Sequence, residues 1–571
     1  MPLNLKSRKI VIGCIVAAIL LTLASRIAVA RYLANDSPGD GVLYAQLARN
    51  ILEHHVYSVD DQPPFEPTLI RLPGYPLFLA GIYAVFGPGN HNAVRTVQGV
   101  IDTISCILIA LIAWNWDPNE QRKRISAAAA FVLAALCPFM VIYVGTMLTE
   151  TMTVFLACCM TLTATYALKS PRRTIAAFWW ISTGLIGGLC VTFRPDAGLF
   201  LGGIGLTLIF VYLSGGAGEK ASGFFPRLVQ AFLGGALMSI AFAAVLLPWA
   251  ARNERLFHVF QPLAPAHAEM PGEFVPLGYS KWLSTWIDDA RYIDPMLWSL
   301  NEKPIKLDDI PDRAFDSPEE KARVAALLDR YNHPIPQATP SVDSTAESGA
   351  AANQSADDTN SNSKEADNSA DSKDESDDNS ADQSDESSDE EAEEEDSGTE
   401  DEADGPPPLV AMTPEIDAEF ARLAGERIAH ARFRYYVSLP AKRAMALWFD
   451  THSQYYPFDG ELFPLSDLDH TTYQHLWLPL FTFLTWAYTI LGLLGAYFLY
   501  RSGGRRWVLL AFLMTIPRVA FFATIENPEP RYVIELFAFT AILGGIAIAT
   551  FTSRSYEAES ISPDSEPLPE A

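Results

Sequence analysis

Cysteine is scarce in this sequence: six residues in 571, at positions 14, 106, 137, 158, 159 and 190. All six fall in apolar runs and neither of the two long polar stretches contains one. This excludes a disulfide framework and a cysteine metal site, and leaves the adjacent Cys158 and Cys159 as packing residues. Positive charge is also short, with 41 Lys plus Arg against 68 Asp plus Glu and a net charge of −27, which argues against nucleic acid as a partner. Between Ser341 and Pro408 there is almost no aromatic or large aliphatic residue. That stretch holds 25 acidic residues against two lysines, or −23, leaving −4 for everything else. It cannot bury enough apolar surface to offset the entropy of ordering, so it is expected to be disordered, a solvated spacer.

What remains is strongly apolar and falls into runs near the ~20 residues needed to cross about 30 Å of hydrocarbon. Ten spans are expected, approximately over 10–30, 93–115, 126–146, 148–168, 174–192, 196–213, 228–249, 476–500, 507–525 and 532–551. Basic clusters (Lys6/Arg8/Lys9, Arg122/Lys123/Arg124, Lys169/Arg172/Arg173, Lys220/Arg227, Arg501/Arg505/Arg506) then fall on one face. The positive-inside tendency makes that face cytoplasmic, with both termini, and puts the 31–92 and 250–475 loops outside a plasma (inner) membrane. The first span also imitates a cleavable leader, with Lys6-Ser-Arg-Lys9, an apolar run and Ala28-Val-Ala30; removal there would untether the following loop.

That loop, Asp36 to Pro76, puts two carboxylates, Asp36 and Asp40, directly after a hydrophobic segment. Leu43, Leu47, Ala48, Ile51 and Leu52 recur at helical spacing after them. A second stretch from Arg71 to Gly87 is too interrupted to span, so both are expected along the membrane surface. Other polar residues gather at the turns on the same side: Tyr143, Thr146, Thr149, Glu150 and Thr151; Arg194-Pro-Asp196; Arg252-Asn253; and Glu526-Asn-Pro-Glu-Pro-Arg-Tyr532. Arginine in short outer turns runs against the charge rule. One alone reads as an interfacial anchor or a partner for a carboxylate such as Asp196 or Glu529. Arg71, Arg194, Arg252 and Arg531 together point to an anion site at the outer leaflet, where phosphate is the anion a membrane substrate offers.

Asp102 lies inside the second span and is expected to pair with Arg95 or Arg26, because an unpaired carboxylate there is costly. His452, Asp459, Asp467, His470 and His475 match no strong metal spacing, nor do His54 and His55; no metal or other cofactor is indicated. Outside the spans, Trp282, Trp286 and Trp298, a helical stretch from Pro318, and a second one opened by the capping box Thr413-Pro-Glu-Ile-Asp417 are expected to fold into one modest helical domain. The expected division is a catalytic module at 1–253, outer-domain parts at 254–340 and 409–475 around the insert 341–408, final spans at 476–552 and a cytoplasmic tail at 553–571.

One or two acids and several guanidiniums at bilayer level suit sugar transfer from a lipid phosphate: a base for the acceptor hydroxyl and cations for the departing phosphate. The ordered series Asp40 and Tyr44, Arg71-Leu-Pro-Gly-Tyr75-Pro-Leu-Phe-Leu-Ala, Ala93-Val-Arg-Thr-Val-Gln98, Leu148-Thr-Glu150-Thr, Thr192-Phe-Arg-Pro195, Leu247-Pro-Trp-Ala-Ala-Arg-Asn253 and Pro530-Arg-Tyr532 resembles the GT-C glycosyltransferases of the protein mannosyltransferase and aminoarabinose transferase type. The resemblance covers nearly the whole membrane portion but not the outer domain or the insert. It implies an all-α integral membrane protein, a GT-C-type bundle of about ten transmembrane helices with amphipathic surface helices and an outer, mainly helical domain. It further implies an inverting transferase using a polyprenyl-phosphate sugar, with a lipid, glycan or protein as acceptor. Asp40 would be the base, with Asp36 the substitute. Glu150 would orient the acceptor or Asp40. Arg71, Arg194, Arg252 and Arg531 would compete for phosphate, with Tyr532 beside it and Tyr44 and Tyr75 in the pocket. A polytopic lipid or polysaccharide transporter is the rival, but no repeated halves or paired broken helices are visible. Deleting 341–408 is expected to leave sugar transfer by isolated membranes largely intact; loss of transfer with normal folding would make the insert part of the mechanism.

Overall fold

The computed structural model describes residues 5–35, 39–215, 223–334, 410–449 and 472–560. The acidic stretch 341–408 therefore lies outside the described residues. Among the described residues the chain is helical, with a single isolated β-bridge between Asn35 and Thr146. Helix α1 (Leu5–Tyr32) leads to two short helices, α2 (Asp40–Glu53) and α3 (Gly74–Phe86). Then follow α4 (His91–Trp116), α5 (Lys123–Leu136), α6 (Pro138–Val141), α7 (Glu150–Lys169), α8 (Arg173–Phe193), α9 (Gly198–Leu213) and α10 (Phe224–Phe257). A separate group comprises α11 (Leu277–Leu283), α12 (Pro318–Asn332), α13 (Pro414–His430) and α14 (Leu439–Phe449), before α15 (Thr472–Arg501), α16 (Arg505–Ala523) and α17 (Leu536–Ser560) close the chain.

Nine of the described helices are long and apolar enough to cross a membrane, and ten when α5 and the helical turns to Gly145 count as one span bent by 56°. In sequence the third span is marked only as a run over 126–146, and the bend has a local cause. Pro138 has no N–H, and it holds Cys137 in the extended region (φ −75°, ψ 107°), as expected of a residue before proline. Ala134 O keeps a backbone donor, Cys137 N at 3.3 Å, and the carbonyls at the end of α5 also receive side-chain donors. Arg26 of α1 donates from Nη1 to Ala135 O (2.6 Å) and from Nη2 to Ala134 O (3.3 Å), and Tyr488 Oη donates to Leu133 O (2.6 Å). The same guanidinium pairs through Nε with Asp102 Oδ2 at 2.8 Å, both residues being 1% exposed. Of the two partners expected for Asp102, Arg26 takes the role, while Arg95 donates to Gly145 O (3.0 Å).

Between spans, contact is set by small residues, as in membrane bundles generally. Helix α8 lies against α10 so closely that a Cβ on Gly184 would stand 2.1 Å from Met238 O. On the other side of the bundle α17 packs against α15 and α5, and Phe139, Phe537 and Trp448 stack in sequence with centroids 4.3 and 4.7 Å apart.

The group outside the spans has its own core, in which Tyr279, Trp282 and Leu328 meet Ile416, Phe420 and Ala424. Residues before and after the acidic stretch thus share one core. Thr413 caps α13 by accepting from Ile416 N (3.4 Å), but the expected box does not close, because the N3 position is the apolar Ile416; Asp417, one residue on, accepts Tyr279 N (2.7 Å) and ties α11 to α13. Substituting Asp102→Ala would leave Arg26 buried without a counter-charge. The expected loss is about 3–5 kcal/mol, read as a lower thermal unfolding temperature in detergent; an unchanged temperature would show that the pair does not hold α1 to α4.

Candidate active site

The turns that follow alternate spans meet at one end of the bundle. The 33–90, 145–149, 194–197 and 524–535 connections are linked there by ion pairs from Asp40 to Arg531 and from Arg194 to Glu150 and Glu535. Asp40 is the first residue of α2, where the unpaired helix N–H groups favour an anion. The chain enters it through Gly39 at φ +83°, a conformation that glycine adopts without steric cost. Behind it, Asn50 Nδ2 donates to Ser58 O (2.8 Å) and Asp60 O (2.7 Å), and Tyr57 Oη to the carbonyls of Arg71 and Leu72 (both 3.1 Å). The backbone carrying Arg71 is thereby tied to α2.

Both Asp40 oxygens are engaged by guanidiniums. Arg71 Nη2 lies 3.0 Å from Oδ1 and Arg531 Nη2 lies 3.3 Å from Oδ2, with the carboxylate side chain 26% exposed. Burial works against its charge, but Arg531 and Arg71 overcome that cost and hold the carboxyl below the ordinary carboxylate range. Tyr44, one turn along α2, meets Tyr75 edge-on with centroids 5.2 Å apart. Tyr75 Oη donates to Gln98 Oε1 (2.9 Å), and Gln98 Nε2 reaches Thr146 O (2.8 Å), so the pocket wall is continuous with α4 and the bent third span.

Beneath Tyr532 lies a second, buried set of charges. Arg194 Nη1 pairs with Glu150 Oε1 at 2.9 Å and its Nε with Asp196 Oδ1 at 3.2 Å. Arg518 Nη1 pairs with Asp196 Oδ2, its Nη2 with Glu535 Oε1 at 3.1 Å, and its Nε donates to Tyr532 O at 3.0 Å. The Tyr532 ring faces the guanidiniums of Arg194 (5.3 Å) and Arg531 (5.1 Å), and its hydroxyl accepts from Asn527 Nδ2 (3.0 Å). Glu150 Oε2 is buried and has no hydrogen-bond partner among the described residues. These contacts fix the 530–535 turn, and with it Arg531, against α7, α8, α9 and α16.

Arg252 stands in a different setting. Its guanidinium faces the rings of Trp249 (4.8 Å), Tyr57 and Phe257 (both 5.3 Å), and Nη1 donates to Thr68 O at 2.7 Å. It edges a mostly apolar cavity of about 600 Å³ whose walls include Ile51, Tyr57, Leu77, Phe78, Phe193 and Trp249.

Of the residues singled out in sequence, Asp40, Arg71, Arg531 and Tyr532 come together, Tyr44 and the fully buried Tyr75 pack against each other beside them, Glu150 and Arg194 form the layer below, and Arg252 borders the cavity. Asp36 lies outside the described residues, as do His452, Asp459, Asp467, His470 and the side chain of His475. Among the described residues no three His, Cys, Asp or Glu side chains gather as a metal site. Sequence reasoning missed Arg518 and Glu535. Their signal was an ionisable residue within or at the edge of an apolar run, which in a membrane protein marks a paired or functional group.

No protein-family model matches the chain, and neither does any curated protein. Among solved structures it is similar to the archaeal oligosaccharyltransferase AglB from Archaeoglobus fulgidus, in complex with an inhibitory peptide and a dolichol-phosphate, at 12% identity and a TM-score of 0.42, covering 97% of this chain and 52% of that one. The chain thus spans about half the length of the archaeal protein. It is also similar to ArnT from Cupriavidus metallidurans bound to undecaprenyl phosphate, at 13% identity and a TM-score of 0.34, covering 97% and 81% of the two chains.

Removing Arg518, for instance as Arg518→Met, would leave Asp196 and Glu535 short of counter-charge. The expected cost is about 3–5 kcal/mol, measured as a fall in thermal unfolding temperature; an unchanged temperature would show that the buried set does not fix the 530–535 turn.

Proposed function

We propose that this protein is an inverting membrane glycosyltransferase that moves a sugar from a polyprenyl-phosphate donor to an acceptor hydroxyl at the outer face of a plasma membrane. The observation that carries the reading is the position of Asp40 between the guanidiniums of Arg71 and Arg531, at the end of the bundle where the polar turns meet. That pairing sets a base and phosphate-binding cations within one site. The distribution of Lys and Arg along the chain supports the outward orientation of this end.

In the reaction, Asp40 accepts the proton of the acceptor hydroxyl as its oxygen forms the new bond to the anomeric carbon. The bond from that carbon to the phosphate oxygen breaks, and its electron pair leaves with the lipid phosphate. Attack from the face opposite the leaving group inverts the centre. Arg71, Arg531 and Arg252 receive the charge that develops on phosphate, Tyr532 holds Arg531 in place, and Tyr44 and Tyr75 flank the sugar. The apolar cavity beside Arg252 suits an isoprenoid chain whose phosphate ends at a guanidinium. Arg194 is committed to Glu150 and Asp196, so it steadies the site by neutralising those acids. Glu150, buried and paired with Arg194, acts on the site from behind through that arginine.

Asp40→Asn keeps the shape of the side chain and removes the base. Transfer of sugar from a polyprenyl-phosphate donor by the purified variant should fall by about 10²–10⁴-fold with membrane insertion unchanged. Retained transfer would defeat the assignment of Asp40.

A further inference from the structure

Asp40 carries two demands that conflict in the geometry described above. A general base works best when its negative charge is unshared, yet Oδ1 and Oδ2 each accept from a guanidinium, at 3.0 and 3.3 Å, which weakens both as proton acceptors although each keeps a second lone pair. Phosphate-binding arginines need donors directed at the substrate, yet Arg71 Nη2 and Arg531 Nη2 are both directed at a carboxylate. One anion set between two cations is the arrangement a phosphate group would itself adopt there. Arg71 and Asp40 are each about a quarter exposed, at 24% and 26% of the side chain, whereas Arg531 is 9% exposed and faces Tyr532. The pair that a ligand can reach is thus Asp40 with Arg71, while Arg531 forms the fixed side of the site.

We propose that Asp40 is an internal stand-in for the donor phosphate: in the resting protein it latches Arg71 and Arg531, and an incoming lipid phosphate takes over those guanidiniums and frees the carboxylate for the acceptor. The proposal rests on the transferase reading above. Two consequences follow from simple competition. The affinity for phosphate is lowered by the fraction of time the latch is closed. An acceptor that arrives before the donor meets an engaged base, so productive binding is ordered, donor first.

The test is binding of undecaprenyl phosphate to the purified full chain in detergent, alongside inorganic phosphate as the free-ion arm. If the latch is closed about nine-tenths of the time, Asp40→Asn should bind undecaprenyl phosphate roughly tenfold tighter than the parent, although it no longer transfers sugar. Arg71→Gln should bind it more weakly. Asp40→Ala, which also frees both guanidiniums, is the second variant should the amide misfold. Tightening for both ligands supports phosphate itself as the displacing group, and tightening for the lipid alone supports the lipid headgroup. Tightening for inorganic phosphate alone would overturn the lipid as that ligand, and equal or weaker binding of both would overturn the latch. Loss of transfer without tighter binding would remove the latch and keep the base; retained transfer would remove the base, whatever the binding shows.

Discussion

Charge that enters a low-dielectric bundle must be matched where it sits, and the Asp40–Arg531 contact does this across 491 positions of sequence. It joins the first polar loop to the last inter-span turn. The layer beneath repeats the solution with Arg194 and Arg518 set among Glu150, Asp196 and Glu535. Neither arginine of this layer can be withdrawn without leaving buried acids short of counter-charge, because two guanidiniums serve three carboxylates. The result is a rigid floor formed by four spans, on which the exposed Asp40–Arg71 pair is the element open to exchange.

Much of the fold was legible in the sequence, because hydrocarbon thickness fixes the length of a span and polar clusters mark the turns between spans. Asp40 and Arg71 stood out because they sit in loops beside amphipathic helices, where charge is visible against its surroundings. Arg518 and Glu535 did not, since a single ionisable residue disappears when hydropathy is averaged over an apolar window. Nor could spacing show that Arg194 is consumed by internal pairing while Arg531 reaches Asp40; that depends on which turns touch. The bend of the third span was not legible although Pro138 lies within it, because composition alone does not say whether the neighbouring carbonyls find other donors.

The domain outside the spans follows a different logic. It is held by an aromatic core of Tyr279, Trp282 and Phe420 and by Arg427, whose Nη1 pairs with Glu320 Oε1 at 3.0 Å and whose Nε donates to Thr285 Oγ1 at 2.8 Å. Arg443 of α14 donates to the carbonyls of Ser284 (2.7 Å) and Ile287 (2.8 Å), while Trp448, farther along the same helix, donates to Thr489 Oγ1 of α15 at 2.7 Å. The same helix packs against α16 and the 530–533 turn, so it couples this domain to the elements that carry Arg518 and Arg531.

The kink at Pro138 also has a bearing on biosynthesis. Its exposed carbonyls are met from both ends of the chain: Arg26 emerges from the ribosome before the kink, but Tyr488 emerges 355 residues after Leu133. At ~5–20 residues per second, that interval lasts about 20–70 s. For that time the newly inserted segment carries a polar group that lipid cannot satisfy, and final settling of the third span waits on the arrival of the eighth.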